Sequence, residues 1–171
     1  MTKQQLCGNQ WISLWQSESG TVTVKMDDGV TIVPINDDGN VIMISEPSVA
    51  YDGLRSLLLP TGGIEADEPP AETANRELQE EIGLKANKLD FLGILYSSIK
   101  YVEMKSHVFL ARDFVPAELE GDEPEGWIQF EDPMPLSDIE AKIAEGKLLN
   151  AETISALFMA RSFLEKEQLS S

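Results

Sequence analysis

Apolar positions alternate with polar ones through the first third of the chain, which is typical of strands with one buried face. Four segments fit this description, and they lie at 10–17, 21–26, 30–35 and 41–45. Asp27-Asp28-Gly29 separates the second segment from the third and is typical of a tight hairpin turn, and a second turn sequence fills 36–40. We therefore expect the chain to begin with a mainly antiparallel sheet.

The middle of the chain combines short strands with a helical pattern. An apolar strand at 56–59 is followed by Pro60 and by the sharp loop Thr61-Gly62-Gly63. A helix is predicted over Pro70–Ile82, because proline is tolerated in a first turn and Gly83 is typical of a C-terminal cap. Further strands are expected at 89–96, 104–114 and 127–130.

Two helices are expected to close the chain. The first begins at 137–140 with the spacing of a capping box and ends near Gly146. The second begins at Asn150 and places four large apolar side chains on one stripe. These are Ile154, Leu157, Phe158 and Leu164. With no repeat or linker in the sequence, this order of elements predicts one α+β domain, residues 1–171, with a mixed sheet.

The composition is strongly acidic, with thirty Asp plus Glu against thirteen Lys plus Arg and a formal net charge of −17. A field of this sign repels phosphate backbones and anionic lipid headgroups, so nucleic-acid and membrane partners are disfavoured. A solvated acidic surface or a cation-binding site would explain the excess. An acidic interaction tail fits least well, because the chain has no long block of like charge.

Cysteine usage and hydropathy indicate the compartment. Cys7 is the single cysteine, so no intrachain disulfide can form and a reducing environment is expected. The N-terminal segment lacks the apolar core of a signal peptide, and no stretch approaches the ~20 apolar residues that span a bilayer. We expect a soluble, cytoplasmic protein.

Three carboxylates share one face of the helix predicted over Pro70–Ile82. Because successive helical residues advance about 100°, Glu77, Glu80 and Glu81 are neighbours beside the apolar stripe. That stripe comprises Ala71, Ala74, Leu78 and Ile82. Like charges at these spacings destabilise a helix, and partial burial adds to the cost or raises a pKa. A hard divalent cation bound among these carboxylates would replace their mutual repulsion with attraction to the ion. The alternative to a cation site is a solvated acidic face that binds no ligand.

A longer pattern includes this helix and the loop before it. Gly62 is followed after five residues by Glu68 and after seven more by the segment 76–84, which reads Arg-Glu-Leu-Gln-Glu-Glu-Ile-Gly-Leu. The segment 62–84 resembles the Nudix box at every specified position. The resemblance implies the Nudix fold, a mixed sheet in an α/β/α sandwich, here with an N-terminal antiparallel strand region. It also implies metal-dependent hydrolysis of a nucleoside diphosphate linked to another group.

The resemblance implies a role for each residue of the box. Glu77 and Glu81 are the principal ligands of Mg²⁺ or Mn²⁺, Glu80 is a further ligand directly or through water, and Thr61 offers its backbone carbonyl. The catalytic set then comprises Glu80, Glu81 and Arg76 with a carboxylate from outside the box.

The remaining box residues are implied to be structural. Glu68 pairs with Arg76, which agrees with the helical geometry, since that geometry lets Arg76 orient the carboxylates rather than bind substrate. Gly62 and Gly83 occupy the loop and the end of the helix.

Two later segments, 119–125 and 150–157, are similar to the Nudix subgroup that hydrolyses ADP-ribose and related ADP compounds. In that subgroup an acidic loop supplies a catalytic glutamate, which falls on Glu123 or Glu125; an acidic surface loop is the alternative. Proteins of the subgroup are generally homodimers. The strands within 1–28, which include Trp11 and Trp15, are expected at that contact, although both side chains fit core packing equally well.

Two departures from the subgroup affect the substrate. Ile99 and Lys100 stand where typical ADP-ribose hydrolases carry a proline, and Leu58 stands where a glutamate is frequent. We expect hydrolysis of ADP-ribose or a related ADP compound to AMP. A Nudix hydrolase for a nucleotide sugar or a dinucleotide polyphosphate is one alternative, and a nucleotide-binding module without turnover is another.

Candidate substrate contacts lie outside the box. Arg55 and Lys100 are candidate phosphate contacts in an acidic chain. Tyr101 is a candidate for stacking on adenine. Three further aromatic candidates are Tyr51, Tyr96 and Trp127. His107 lies within a strand and is expected to be structural rather than a general base.

Overall fold

The computed structural model describes residues 2–48, 50–98, 100–117 and 127–170 of the chain. The strands are β1 (Lys3–Gly8), β2 (Ile12–Ser17), β3 (Val22–Met26), β4 (Gly29–Pro34), β5 (Ile44–Pro47), β6 (Arg55–Leu58), β7 (Thr61–Gly63), β8 (Leu84–Ser98), β9 (Val102–Pro116) and β10 (Gln129–Phe130). The helices are α1 (Pro70–Ile82), α2 (Leu136–Ala144) and α3 (Ala151–Leu169).

Strand β9 organises the larger sheet, in which β1, β2, β3, β9, β4 and β7 follow one another in space. Both β3 and β4 pair with β9 in parallel, β3 near its start and β4 from Ser106 onward. β8 pairs with β9 antiparallel along most of its length. The other pairs of this sheet are antiparallel, so the sheet is mixed, as the sequence predicts.

The alternation of side chains along β4 divides the core between two layers of helix. Val30 packs with Leu78 of α1 on one face of the sheet. Val33 packs with Leu157 of α3 on the other face. Helices on both faces of a mixed sheet form an α/β/α sandwich, which confirms the predicted α+β fold class.

Helix α1 has the predicted bounds. Gly83 closes it in the left-handed region at φ 66°, with its N–H donating to the carbonyls of Gln79 and Leu78. Ala74 and Leu78 of the predicted stripe are fully buried, whereas Ala71 is exposed, because the first turn extends past the part of the helix that packs on the sheet.

The hairpin predicted at Asp27-Asp28-Gly29 is wrong. Both flanking strands, β3 and β4, lie parallel against β9 instead of pairing with each other. The Asp28 side chain accepts a hydrogen bond from the backbone N of Lys105 at 2.9 Å, which fixes the connection to β9. Gly29 lies in β4, where an added Cβ would meet the carbonyl oxygen of Gly62 at 2.7 Å. The close approach of β7 therefore excludes a side chain at this position.

The other predicted strands are largely present as β2, β6, β8 and β9. The turn at 36–40 forms, with the Asn36 side chain accepting from the backbone N of Asp38 and of Asn40. The strand expected at 41–45 begins only at Ile44, and the one expected at 127–130 is reduced to β10. β1 was not predicted, because a strand that is exposed on both faces shows no apolar alternation.

The two terminal helices differ from expectation at one point each. α2 begins after Pro135, so Ser137 lies inside the helix and the capping box does not form. α3 begins as predicted, with Asn150 accepting from the backbone N of Thr153. Phe158 is 70% exposed, since the buried face of α3 is centred elsewhere. The buried residues are Thr153, Ala156, Leu157 and Ala160. Among the described residues, no helix has both the length and the apolar character to cross a membrane.

Candidate active site

The loop and helix of the box are brought together at the edge of the larger sheet. β7 pairs antiparallel with β4, so that Thr61 lies opposite Thr31 and Gly62 opposite Val30. α1 packs against β4 and β7 from one side. A cavity of about 670 Å³ lies at this junction, and the box carboxylates Glu77, Glu80 and Glu81 line it.

The carboxylate of Glu77 occupies the space beside Gly62. A Cβ added to Gly62 would come within 1.8 Å of the Glu77 carboxyl carbon, so a side chain at this position would require the Glu77 carboxylate to move. Glu77 is 8% exposed. Burial is the main reason that its pKa is raised to about 7, with the neighbouring charge of Glu80 adding to the shift and Arg76 opposing it.

Arg76 connects the loop with the helix through one guanidinium group. Its Nε and Nη2 donate to the two oxygens of Glu68, each at 3.1 Å, and Nη2 also donates to the Gly63 carbonyl at 3.0 Å. Its Nη1 lies 2.8 Å from Glu77 Oε1 and 2.9 Å from Glu80 Oε2. Chiefly through the hydrogen bond from Arg76, the pKa of Glu68 is held below its ordinary value.

Glu81 faces the strand from the next turn of the helix. Its Oε2 accepts a hydrogen bond from the backbone N of Thr61 at 3.2 Å. The structure thus brings together the seven residues, in the box or directly before it, that were predicted to form the metal site or its support. These are Thr61, Gly62, Glu68, Arg76, Glu77, Glu80 and Glu81. Gly83 lies at the end of α1 and acts as its cap.

The carboxylates do not converge on a single point. In their present conformations, no three His, Cys, Asp or Glu side chains of the described ranges form a group that could hold a metal ion. Glu77 and Glu80 are both in contact with Arg76. The positive charge at this site is therefore supplied by the guanidinium in the present structure.

The candidate substrate contacts are separated in space. Lys100 and Tyr101 line one cavity of about 570 Å³, with the Lys100 Nζ lying 5.0 Å from the centre of the Tyr101 ring. Arg55 lies on β6 in the smaller sheet, formed by β10, β5 and β6, where its Nη2 donates to the carbonyls of Ser45 and Trp127. Glu123 and Glu125 lie outside the described residues.

The Lys100 cavity concentrates positive charge in an acidic protein. Four of the thirteen basic residues line it. They are Lys3, Lys25, Lys100 and Lys105. The acidic residues there are Asp27, Asp28 and Glu103, so the cavity lining has a formal net charge of +1 (four minus three). Tyr96 also lines this cavity, whereas Tyr51 and Trp127 line a different, largely apolar cavity of about 1300 Å³. His107 lies in β9, with its ring 6.1 Å from that of Phe91.

Several cavity residues were missed by the sequence reasoning. Trp11, Asp27 and Glu46 line the cavity of the box carboxylates, although they come from the β2 region, the β3–β4 connection and β5. Glu152, from the first turn of α3, lines an adjoining cavity of about 320 Å³. No local sequence signal predicts that these residues lie near the box, because their proximity arises from the order of the strands and the packing of α3.

Comparison with known proteins places this site in a family. The NUDIX domain model matches residues 25–154. ADP compounds hydrolase NudE of Escherichia coli strain K12 is 38% identical over 138 residues, which is 81% of this chain and 72% of that protein. An ADP-ribose pyrophosphatase of Bacillus subtilis strain 168 is 34% identical over 91 residues, covering 53% of this chain and 48% of that protein.

The comparison with solved structures finds the same kind of protein as the comparison of sequences. The crystal structure of an ADP compounds hydrolase superposes with a TM-score of 0.80 at 30% identity, and the alignment covers 98% of this chain and 94% of that one. Nudix hydrolases generally use divalent metal ions. The chain therefore belongs to the Nudix family, and the prediction of a Nudix pyrophosphohydrolase is confirmed at the level of the family.

Proposed function

We propose that this chain hydrolyses the pyrophosphate bond of ADP-ribose or a related ADP compound, releasing AMP and the phosphorylated remainder, with Mg²⁺ or Mn²⁺ as cofactor. The observation that carries the proposal is the group of three carboxylates that α1 presents beside Gly62. The names of the relatives, an ADP compounds hydrolase and an ADP-ribose pyrophosphatase, support the choice of substrate class.

The chemistry of the donors fits a hard divalent cation. Glu77, Glu80 and Glu81 offer carboxylate oxygens and Thr61 a backbone carbonyl, which are the ligand types that Mg²⁺ and Mn²⁺ prefer. Burial makes Glu77 costly to ionise by itself, and a cation beside it would remove that cost. A bound ion would neutralise pyrophosphate charge and lower the pKa of a bound water.

The protein residues have separate tasks in this proposal. Arg76 positions Glu77 and Glu80 and is itself fixed by Glu68. Glu123 or Glu125 accepts the proton of the attacking water, a role that we assign from the family resemblance alone. Lys100 and Tyr101 bind an anionic, aromatic part of the substrate in this proposal, which is supported by a cavity lining that shares Asp27 and Ile64 with the carboxylate cavity.

We also propose a homodimer in a reducing, cytoplasmic compartment, without nucleic-acid or membrane partners. The exposed free thiol of Cys7 supports the compartment. The strands β1 to β3 and the connection between β1 and β2 support the dimer, because they expose several large apolar side chains. These are Leu6, Trp11, Ile12 and Val22.

The first test is a panel of ADP-ribose, NADH, a nucleotide sugar, a dinucleoside polyphosphate and a nucleoside triphosphate, each with Mg²⁺, Mn²⁺ or EDTA. We expect AMP and ribose 5-phosphate from ADP-ribose, with turnover abolished by EDTA, as followed by chromatography of the products. Cleavage of a different substrate would replace the ADP-compound assignment. Stoichiometric nucleotide binding without any cleavage would favour the binding module.

Replacement of a single carboxylate tests the metal site. Glu81→Gln should lower kcat by about 100-fold or more, because an amide cannot replace a negatively charged ligand. Metal affinity, measured by titration calorimetry, should fall with it, while the urea unfolding midpoint stays close to that of the wild type. Glu72→Gln is the matched control, since Glu72 is exposed on the same helix. Near-normal turnover in folded Glu81→Gln would contradict the assignment.

The contact between Gly62 and Glu77 makes a second prediction about the site. In Gly62→Ala, the new methyl group would displace the Glu77 carboxylate, and we expect metal affinity and kcat to fall by about tenfold or more. Gly63→Ala is the control, because a Cβ at Gly63 meets no atom within 4 Å. Equal metal affinities for the two variants would show that the position of Glu77 is not important.

Light scattering tests the dimer. We expect a mass of about 38 kDa, twice the chain mass of 18.9 kDa, at micromolar concentration. Leu6→Glu should shift the mass toward the monomer, because it places a charge on the exposed β1 surface. Leu169→Glu, at the exposed end of α3, should leave the mass unchanged. A wild-type mass near 19 kDa would exclude the dimer.

A further inference from the structure

A chain of buried hydroxyl groups ends on a carboxylate beside the box. Thr31 of β4 and Ser106 of β9 are almost completely buried, and their side-chain oxygens lie 2.7 Å apart. Thr31 Oγ1 donates to Oε1 of Glu152, also at 2.7 Å. Because a hydroxyl group has one proton, Ser106 must donate to Thr31. The hydrogen bonds therefore run from Ser106 through Thr31 to Glu152.

The backbone of Glu152 is fixed as well. Asn150 caps α3 by accepting from the backbone N of Thr153 at 2.8 Å. The hydroxyl of Thr153 in turn accepts from the backbone N of Leu59, which directly precedes Pro60 and the box loop. The first turn of α3 is thus joined to the segment that carries Thr61, and Glu152 is held in place relative to the box.

The cavity that Glu152 lines is acidic and adjoins the proposed reaction site. It shares Trp11, Glu46 and the Thr61–Gly63 strand with the cavity of the box carboxylates. Asp27, Glu46 and Glu152 are its charged residues, and its described lining contains no lysine, arginine or histidine. Hydrogen-bond acceptors therefore dominate, so a phosphate group is repelled whereas a neutral group with hydroxyl donors is favoured.

Glu152 belongs neither to an ion pair nor to a metal cluster in the part of the chain that the structure describes. With no ion pair to Glu152 within those ranges, its charge does not serve to neutralise a cation of the protein. Within the described residues, the Glu152 carboxylate is not grouped with two other acidic side chains, and its hydrogen bond with another side chain is the one from Thr31. Glu152 is a half-buried acceptor that is held by the buried Thr31 hydroxyl, which Ser106 supports in turn, and it lines an acceptor-rich cavity. Such an acceptor is suited to recognising hydroxyl groups.

We infer that Glu152 is a specificity-determining residue that accepts a hydrogen bond from a sugar hydroxyl of the ADP compound. The inference rests on the proposed function, because the ADP compound supplies the sugar. Two sugars have this chemistry: the group linked to ADP and the ribose of the adenosine. Glu152 would discriminate among ADP compounds, whereas the box carboxylates would serve all of them alike.

The variant Glu152→Gln separates recognition from structure. Its amide oxygen can still accept from Thr31, whereas the amide nitrogen would present a donor to the cavity in place of an acceptor. For ADP-ribose we expect kcat/KM to fall about tenfold or more, mainly through KM, with kcat within about twofold of the wild type. Glu165→Ala, on the exposed face of the same helix, is the control and should match the wild type.

Three substrates distinguish the two sugars: ADP-ribose, the β-methyl ester of ADP, and ADP-ribose whose adenosine lacks the 2′ and 3′ hydroxyls. A defect that disappears with the methyl ester assigns Glu152 to the linked sugar. A defect that disappears with the dideoxyadenosine compound assigns it to the adenosine. An equal defect with all three substrates, or no defect with ADP-ribose, would overturn the inference.

Two further measurements keep the test independent of the proposed function and of folding. If the wild type cleaves none of the three substrates, the proposed function fails, and the inference fails with it. If the wild type cleaves ADP-ribose and Glu152→Gln does so with the same kcat/KM, only the inference is refuted. Thr31→Val removes the donor that orients Glu152 and should raise KM for ADP-ribose, whereas Thr31→Ser keeps the donor and should restore it. Urea unfolding of each variant checks that the fold is kept.

Discussion

The packing of the Glu77 carboxylate against Gly62 is the contact on which the rest of the site depends. A carboxylate that is 8% exposed has lost most of its hydration, and the neighbouring Glu80 adds repulsion. Positive charge nearby lowers this cost, and Arg76 supplies it in this structure. Arg76 is held in turn by Glu68 and by the Gly63 carbonyl, so the loop and the helix are connected through one group.

This dependence accounts for the spacing of the box in physical terms. Glu68 must lie far enough before the helix to reach Arg76 from the loop side, and Arg76 must lie one helical turn from Glu80. A side chain at Gly62 would displace the Glu77 carboxylate, which fills that space. Each requirement comes from the same buried charge, and a change at any of the three positions would be expected to reach Glu77.

Strand β4 carries the scaffold for both sides of the site. Val30 faces α1 and supports the helix that presents the carboxylates, whereas Thr31, the next residue, faces α3 and binds Glu152. Because successive side chains of a strand point to opposite faces of the sheet, β4 supports the box helix on one face and binds Glu152 on the other. Gly29 allows β7 to approach closely at the same edge.

The sequence by itself determined the elements whose causes are local. The bounds of α1, the Gly83 cap and the carboxylate face follow from residue spacing along one helix, and the box residues meet because loop and helix are adjacent in the chain. Only the tertiary structure decided the rest. Asp27-Asp28-Gly29 has the composition of a hairpin turn, yet β3 and β4 both pair with β9, which comes much later in the chain. Glu152 reaches Thr31 across 121 residues for the same reason. Such contacts depend on the order of strands in the sheet, and the composition of a short segment does not contain that order.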